Sequence, residues 1–276
     1  MRIMVTNDDG IDSVGLRVLA RAMSRHGEVV VIAPDDEYSG ASSALGALHL
    51  LNPVVHECQM SGVDRAFSVT GPPALCVMFA RLSAFGPPPD LVVSGINPGN
   101  NVGRSVYHSG TIGAALTARN GNISGVAISQ AVTGWGVEGQ AWDEMLANQH
   151  WDSAAAVADK VVEGLVADPP DQPVVINVNV PDLELADIKG WKRAPIGVRP
   201  PRSIASAVLE PREGHEGSWT VRMDWGPEIR PEMETDVGTV MDGYVAVSWL
   251  SRIEDCGPDR DPDTDKVTAA LDSLLG

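Results

Sequence analysis

Short apolar runs alternate with amphipathic stretches along most of the chain. Residues 2–6 (RIMVT) and 28–33 (EVVVIA) are strand-like, and the segment from Val14 to Arg25 carries apolar residues at helical spacing. The same order returns, with helices predicted at 72–84, 110–119 and 151–167 and strands predicted at 90–94, 124–129 and 174–179. This alternation predicts the α/β class, with a doubly wound, mostly parallel sheet.

The alternation of predicted strands and helices ends after Pro181. Strand-like runs at 218–223 and 243–249 are separated by proline, glycine and charged residues, and a short helix is predicted near 265–275. We therefore expect an α/β core over residues 1–182 and a β-rich C-terminal arm over residues 183–276. The arm contains few apolar residues, so it should pack on the main sheet or on another subunit rather than fold alone.

Composition narrows the function more than the fold. Aromatic residues make up only 5% of the chain, so Val, Ile, Leu and Ala must fill the core, which favours a parallel sheet covered by helices. The formal net charge of −17 argues against binding to nucleic acid polymers or anionic membranes. A phosphate substrate would need a cation or clustered backbone donors to reverse the local sign.

Cysteine usage and hydropathy favour a cytoplasmic protein. The chain has three cysteines, with no CxxC spacing and no histidine partners at zinc-finger spacing, so reduced structural thiols are expected. It begins with a strand-like run rather than a signal peptide, and no apolar run approaches the length of a membrane span.

Adjacent acids, Asp8 and Asp9, follow the first predicted strand, where ligands bind in open α/β sheets. If the chain turns at Gly10, the two carboxylates converge and repel each other unless one is protonated or a cation bridges them. Hard oxygen ligands favour Mg²⁺, Mn²⁺ or Ca²⁺. The alternative is an ordinary turn at Gly10 with Asp8 capping the next helix, and the pair alone does not decide between the two.

The loop over residues 94–111 (SGINPGNNVGRSVYHSGT) adds a second kind of site. Asn97 follows a buried strand among glycines that let the backbone approach a ligand. Ser109, Gly110 and Thr111 precede a helix, where hydroxyls and free N–H groups can bind an anion. An ordinary N-cap by Ser109 or Thr111 is the alternative. Acids at one strand end and an anion site at another suit metal-assisted phosphoryl hydrolysis.

Several segments together resemble the SurE family of survival-protein nucleotidases. They are MRIMVTNDDG at 1–10, VVVIAPDDEYSGASSALG at 29–46, DLVVSGINPGNNVGRSVYHSGTIGAA at 90–115, NVNVP at 177–181 and TDVGTVMDGYVAVSWL at 235–250. They are spread over nearly the whole chain in the family's order, which is far more specific than any single motif.

The resemblance implies a Rossmann-like core with an exchanged C-terminal arm, and metal-dependent release of phosphate from nucleoside 5′- or 3′-monophosphates. It also implies one divalent cation per subunit, Mg²⁺ or Mn²⁺ with Ca²⁺ as a further candidate, in a homodimer or homotetramer. Matched position by position, the implied metal ligands are Asp8, Asp9, Ser39 and Asn97, with Asp8 or Asp9 orienting the attacking water. The implied phosphate site comprises Asn97, Ser109, Gly110 and Thr111.

Two neighbouring residues are candidates for a supporting role. His108 could protonate a leaving oxygen, and Arg104 could bind phosphate through two hydrogen bonds. A packed or solvent-facing histidine and a solvated loop charge are the respective alternatives.

Rival functions have weaker motifs. A GxGxxG pattern at residues 134–139 could indicate dinucleotide binding, but it lies late in the predicted sheet, and a lid or substrate loop within residues 133–151 suits it better. The adjacent acids disfavour an aspartyl-phosphate phosphatase, which needs them two positions apart, and no G-x-S-x-G elbow of a serine hydrolase is present. A non-catalytic nucleotide- or phosphate-binding module that retains the metal site remains the alternative function.

Overall fold

A computed structural model describes residues 1–50, 52–132, 145–198, 204–227, 231–251, 253 and 265–275. The strands of these ranges are β1 Arg2–Thr6, β2 Glu28–Pro34, β3 Val55–Cys58, β4 Arg65–Val69, β5 Leu91–Pro98, β6 Ser124–Gln130, β7 Val175–Val180, β8 Trp191–Arg193, β9 Ile204–Pro211, β10 Trp219–Trp225 and β11 Val245–Leu250. The α-helices are α1 Val14–Met23, α2 Pro73–Arg81, α3 Gly110–Asn120, α4 Trp151–Ala167, α5 Asp236–Met241 and α6 Asp265–Leu275, and 3-10 helices span Gly103–Tyr107 and Leu185–Asp187.

Within the described residues, nine strands form one sheet in the order β3-β4-β2-β1-β5-β6-β7-β11-β8. The six from β4 to β7 are parallel neighbours. β3 pairs antiparallel with β4 at one edge, while β11 runs antiparallel to β7 and parallel to β8 at the other. The predicted doubly wound, mostly parallel sheet is therefore confirmed.

Helices cover both faces of this sheet, which gives two apolar layers. Leu16 and Leu19 of α1 and Ala158 of α4 belong to one buried cluster that includes alternate residues of β1 and β2. Val77 of α2 and Ala118 of α3 belong to a second cluster that includes the intervening strand residues. Because successive strand residues point to opposite faces, these strands are apolar throughout rather than alternating.

The arm differs in part from its sequence expectation. The strand expected at 243–249 is β11, which lies inside the main sheet beside β7, and the short β8 joins it there. Within the described part of the arm, β9 and β10 stand apart from this sheet as an antiparallel two-stranded hairpin. The boundary between core and arm at residue 182 stays a prediction. Residues 204–225, which form the hairpin, lie outside the main sheet.

None of the helices in the described ranges is long and apolar enough to span a membrane.

Candidate active site at the carboxyl edge of the sheet

The loops that follow β1 and β2 lie against each other at the carboxyl edge of the sheet. The Tyr38 N–H donates to the Asp8 carbonyl oxygen at 2.7 Å, and the Ile11 N–H donates to the Pro34 carbonyl oxygen at 2.8 Å. Gly10 has φ +94°, and a Cβ there would lie 3.4 Å from the Asp36 carbonyl oxygen. The predicted turn at Gly10 therefore forms where the two loops are closest.

Helix α3 points its first residues at Asp8. The Thr111 hydroxyl donates to Asp8 Oδ1 at 2.6 Å. A Cβ on Gly110 would lie 2.8 Å from both Cβ and Oδ2 of Asp8, so only glycine fits there. Ser109 is the N-cap, and its Oγ accepts the Ile112 N–H at 3.1 Å. The acid pair and the anion site, inferred from separate motifs, are thus in direct contact.

This contact changes the part that Thr111 can play. Its hydroxyl is committed to Asp8, and its backbone N–H also acts on that carboxylate. The hydroxyl of Ser109 and the N–H of Gly110 are therefore the donors that remain best placed for a second anion. The N-cap and anion-site interpretations of Ser109 are compatible, because a capping oxygen that accepts one N–H can still donate its own proton.

The acid pair is electrostatically strained. Asp8 is 2% exposed and Asp9 is half-buried. Burial raises the pKa of Asp8, although the Thr111 hydroxyl acts in the opposite direction. Burial also raises the pKa of Asp9 well above its usual range, with the negative charges of Asp8 and Glu37 adding to the effect. Among the described side chains, no lysine or arginine forms an ion pair with either aspartate.

Asn7 shapes the turn that carries the acids. Its Nδ2 donates to Ser13 Oγ at 2.7 Å and to the Gly10 carbonyl oxygen at 3.1 Å, and it lies 3.5 Å from Asp9 Oδ2. Ser13 is in turn the N-cap of α1. Sequence reasoning did not single out Asn7, although its place beside the two acids was a signal.

Ser39 lies on the loop after β2, whereas Asn97, expected just after a strand, lies within the last residues of β5 and pairs with Ser129 of β6. Ser39 is exposed, and its N–H donates to Glu37 Oε1 at 2.8 Å. Asn97 donates its Nδ2 to the Gly99 carbonyl oxygen at 2.7 Å, which leaves its amide oxygen as the atom for a ligand. Glu37 was not among the predicted residues, yet its charge acts on both Asp8 and Asp9.

Arg104 and His108, the two candidates for a supporting role, are both exposed. Arg104 lies on the 3-10 helix, and His108 lies immediately after it, with its carbonyl oxygen accepting the Ser42 N–H at 3.1 Å. Neither side chain bonds to Asp8 or Asp9 in the described structure. The GxGxxG pattern at 134–139 lies outside the described residues.

A buried polar network supports the loop that follows β5. The Asn101 N–H donates to Asn179 Oδ1 at 2.8 Å, and the side chains of Asn177 and Asn179 donate to its carbonyl oxygen. Asn101 Nδ2 donates to Ser129 Oγ at 2.8 Å and lies 3.4 Å from Thr111 Oγ1. Strands β6 and β7 thereby fix the loop between Asn97 and Ser109.

The chemistry of the predicted donors suits a hard divalent cation. Two carboxylates, a hydroxyl and an amide oxygen are the ligands that Mg²⁺, Mn²⁺ and Ca²⁺ prefer. Such an ion would stabilise the buried Asp8 and half-buried Asp9 carboxylates, which repel each other and have no cationic partner among the described side chains. Within the described ranges, no cluster of three or more His, Cys, Asp or Glu side chains could hold a metal ion.

Comparison with known proteins gives one consistent result. The family model "Survival protein SurE" matches residues 3–202. A protein of Erwinia tasmaniensis named 5′/3′-nucleotidase SurE is 36% identical over 254 residues, covering 91% of this chain and 90% of its own. A protein of the same name from Salmonella paratyphi A is 35% identical over 250 residues, with the same coverage. The crystal structure of the SurE protein from Aquifex aeolicus matches with a TM-score of 0.72 and 26% identity, covering 100% of both chains.

Proposed function

The chain belongs to the SurE family of survival proteins, and on that premise we propose that it is a divalent-metal-dependent phosphomonoesterase. Its substrates are nucleoside 5′- and 3′-monophosphates, which it hydrolyses to nucleoside and phosphate. The relatives' name, 5′/3′-nucleotidase, supports the reaction. The observation that carries the proposal is the contact between Asp8 and the first residues of α3, because it places the acid pair beside an anion-binding helix end.

In this proposal Asp8, Asp9, Ser39 and Asn97 hold one Mg²⁺ or Mn²⁺ ion, with Ca²⁺ as a further candidate. A divalent cation held there polarises the phosphoryl group and acidifies water. Asp8 has one oxygen committed to Thr111, so its Oδ2 is the atom available to the ion. Asp8 or Asp9 orients the attacking water.

The phosphate is bound by groups at the start of α3. The Ser109 hydroxyl and the Gly110 N–H donate to the phosphoryl oxygens, and the Thr111 N–H is shared with Asp8. These donors face charge that grows in the transition state, at a helix end whose dipole favours an anion. The amide oxygen of Asn97 can serve either the metal ion or the phosphate. We assign no catalytic step to Arg104 or His108, which are both exposed.

We also propose that the protein is a homodimer or homotetramer in the cytoplasm. The hairpin of β9 and β10 supports the proposed oligomer. On one of its faces Leu209 is paired with Val221, and Ala207 with Met223. The three larger side chains of this set are 57% to 64% exposed. On the other face Arg222 forms ion pairs with Glu210 and Asp224. An apolar face of this kind indicates contact with another subunit.

The first test is phosphate release from a panel of 5′- and 3′-nucleoside monophosphates, with Mn²⁺ or Mg²⁺ and then with excess chelator. We expect release that depends on the metal and stops with chelator. Release that persists in chelator would contradict the metal dependence. Nucleotide binding without any release would instead support the non-catalytic binding module.

A further inference from the structure

Asp236, the first residue of α5, is a fully buried carboxylate bonded to three backbone N–H groups. Its Oδ2 accepts the Gly103 N–H at 2.9 Å. Its Oδ1 accepts the N–H groups of Gly197 and Val237, each also at 2.9 Å. Burial raises the pKa of Asp236, whereas these N–H groups act in the opposite direction. No lysine or arginine in the described part of the chain pairs with it.

The three donors come from three separate parts of the protein. Gly197 lies before the hairpin of β9 and β10, and Val237 lies after it, so Oδ1 joins the two ends of the arm. The Asp236 N–H reinforces this junction by donating to the Pro195 carbonyl oxygen at 2.9 Å. Gly103, 133 positions away from Asp236, begins the 3-10 helix that leads to the phosphate-binding residues.

Backbone hydrogen bonds restrict the conformation of the segment between Gly103 and Ser109. The Ser105 N–H donates to the Val102 carbonyl oxygen, and the N–H groups of His108 and Ser109 both donate to the Ser105 carbonyl oxygen. Gly103 has φ +55°, a conformation that other residues adopt only with strain. A bond that fixes the Gly103 N–H therefore also limits where Ser109 can lie.

We propose that Asp236 is a positioning residue of the active site, which fixes the phosphate-binding residues through Gly103 and ties them to the base of the arm. The inference rests on the proposed phosphatase function. Substitution of Asp236 should therefore weaken phosphate binding more than metal binding. Asp8 and Asp9 follow β1 and are held by Asn7 and Thr111, so they do not depend directly on the Gly103 bond.

Asp236→Asn tests this role with almost no change in shape. An amide has one acceptor oxygen, and keeping it at the Oδ1 position preserves the two bonds to Gly197 and Val237. Its NH₂ group would then face the Gly103 N–H, donor against donor. The substitution therefore removes the bond to the site and retains those at the base of the arm. Asp242→Asn is the matched control, because Asp242 directly follows the same helix and is only half-buried, in an ion pair with Lys189.

The experiment measures inorganic phosphate binding, Mn²⁺ binding and the KM for a nucleoside monophosphate in the wild type and both variants. For Asp236→Asn we expect the phosphate Kd and the KM to rise about tenfold, since one buried hydrogen bond is lost. The Mn²⁺ Kd should stay within about twofold, and Asp242→Asn should match the wild type. Unchanged phosphate binding, or equal losses of phosphate and Mn²⁺ binding, would overturn the proposal.

Hydrogen exchange decides the case if Asp236→Asn does not fold. In the wild type, the Gly103 amide should exchange as slowly as amides within β5, because its donor bond is buried. Rapid exchange at Gly103 would refute the positioning role. A wild type that hydrolyses no nucleotide would refute the proposed function instead, and the phosphate-binding and exchange measurements would still test Asp236.

Discussion

The acid pair and the hairpin differ in where their partners come from. Asp8 is buried and bonded to Thr111 within the same chain, and in the proposed function a cation completes its surroundings. Leu209 and Val221 are paired across the hairpin strands, and both side chains are more than half exposed. The candidate site is thus shaped by intramolecular contacts, whereas the hairpin presents an apolar surface that we propose a second molecule covers. Each of the following substitutions tests one side of this contrast.

The largest effect should come from Asp8→Asn, which keeps the shape of the side chain and removes its charge. We expect turnover to fall by roughly a thousandfold or more, with an unchanged circular dichroism spectrum. Asp12→Asn, at an exposed position of the same loop, should retain wild-type turnover. Substantial activity in Asp8→Asn would refute the assignment of Asp8.

Gly110→Ala tests whether the site tolerates any displacement of Asp8. The added methyl group would lie 2.8 Å from the Asp8 carboxylate, which must move. A loss of about a hundredfold in kcat/KM is expected, since small misplacements in an active site are costly. Gly164→Ala is the control, because its Cβ enters open space, and in that variant stability should rise by up to about 1 kcal/mol. Equal activity in the two variants would show that the Asp8 contact is unimportant.

Thr111→Val removes the hydroxyl that donates to Asp8 and keeps the side-chain volume. We expect about a tenfold loss of kcat/KM, measured at saturating Mn²⁺, because one buried hydrogen bond disappears. Thr111→Ser should recover most of the activity. If valine and serine behave alike, the hydroxyl has no part in the site.

The raised pKa values make a smaller, pH-dependent contribution to stability. Since burial raises the pKa of Asp9 above its ordinary value of 3.8, the folded state favours the protonated acid. The stabilisation of the folded state by protonated Asp9 is therefore complete below that ordinary value, and it is lost as the pH rises through the raised pKa. In chelator, the Tm of Asp9→Asn relative to the wild type should increase from pH 4 to pH 8 by a few degrees, on the order of 5 °C. A constant difference would contradict the electrostatic account.

Leu209→Lys should affect catalysis least and assembly most. A charge on the apolar face of the hairpin should lower the mass seen by light scattering, with kcat/KM changed by less than about fivefold. Val208→Lys is the control, because Val208 lies opposite Arg222 on the polar face. An unchanged oligomer in Leu209→Lys would exclude this face as the contact.

Linear motifs predicted those residues of the proposed site that lie next to the end of a strand or the start of a helix. Asp8 and Asp9 follow a strand, and Ser109 precedes a helix, so both patterns were visible without a fold. Asn101 and Asp236 were missed as site residues, because their partners lie on β6, β7 and the loop at Gly103, far away in sequence. Only the folded sheet brings such residues together.

The same reasoning explains the missed strands. β3 and β8 are short edge strands with mostly exposed residues, so no apolar run marks them. β9 is exposed throughout, and its pairing with β10 makes it a strand. Among the buried parallel strands, β1, β2, β6 and β7 were predicted within one or two residues of their ends, and β5 continues further, through an irregularity between Ser94 and Asn97. The parallel strand β4 was missed, because Arg65 and Ser68 interrupt its apolar residues.

The position of β11 has a consequence for biosynthesis. This strand, Val245–Leu250, is inserted between β7 and β8, although it is made after both. During translation, the edge of β7 that later pairs with β11 stays unpaired until most of the chain has emerged from the ribosome. Asp236 leaves the exit tunnel shortly before β11, so the last bond to the Gly103 loop forms late in translation. A truncated nascent chain could contain Asp8, Asp9 and Ser109 and still lack a finished site.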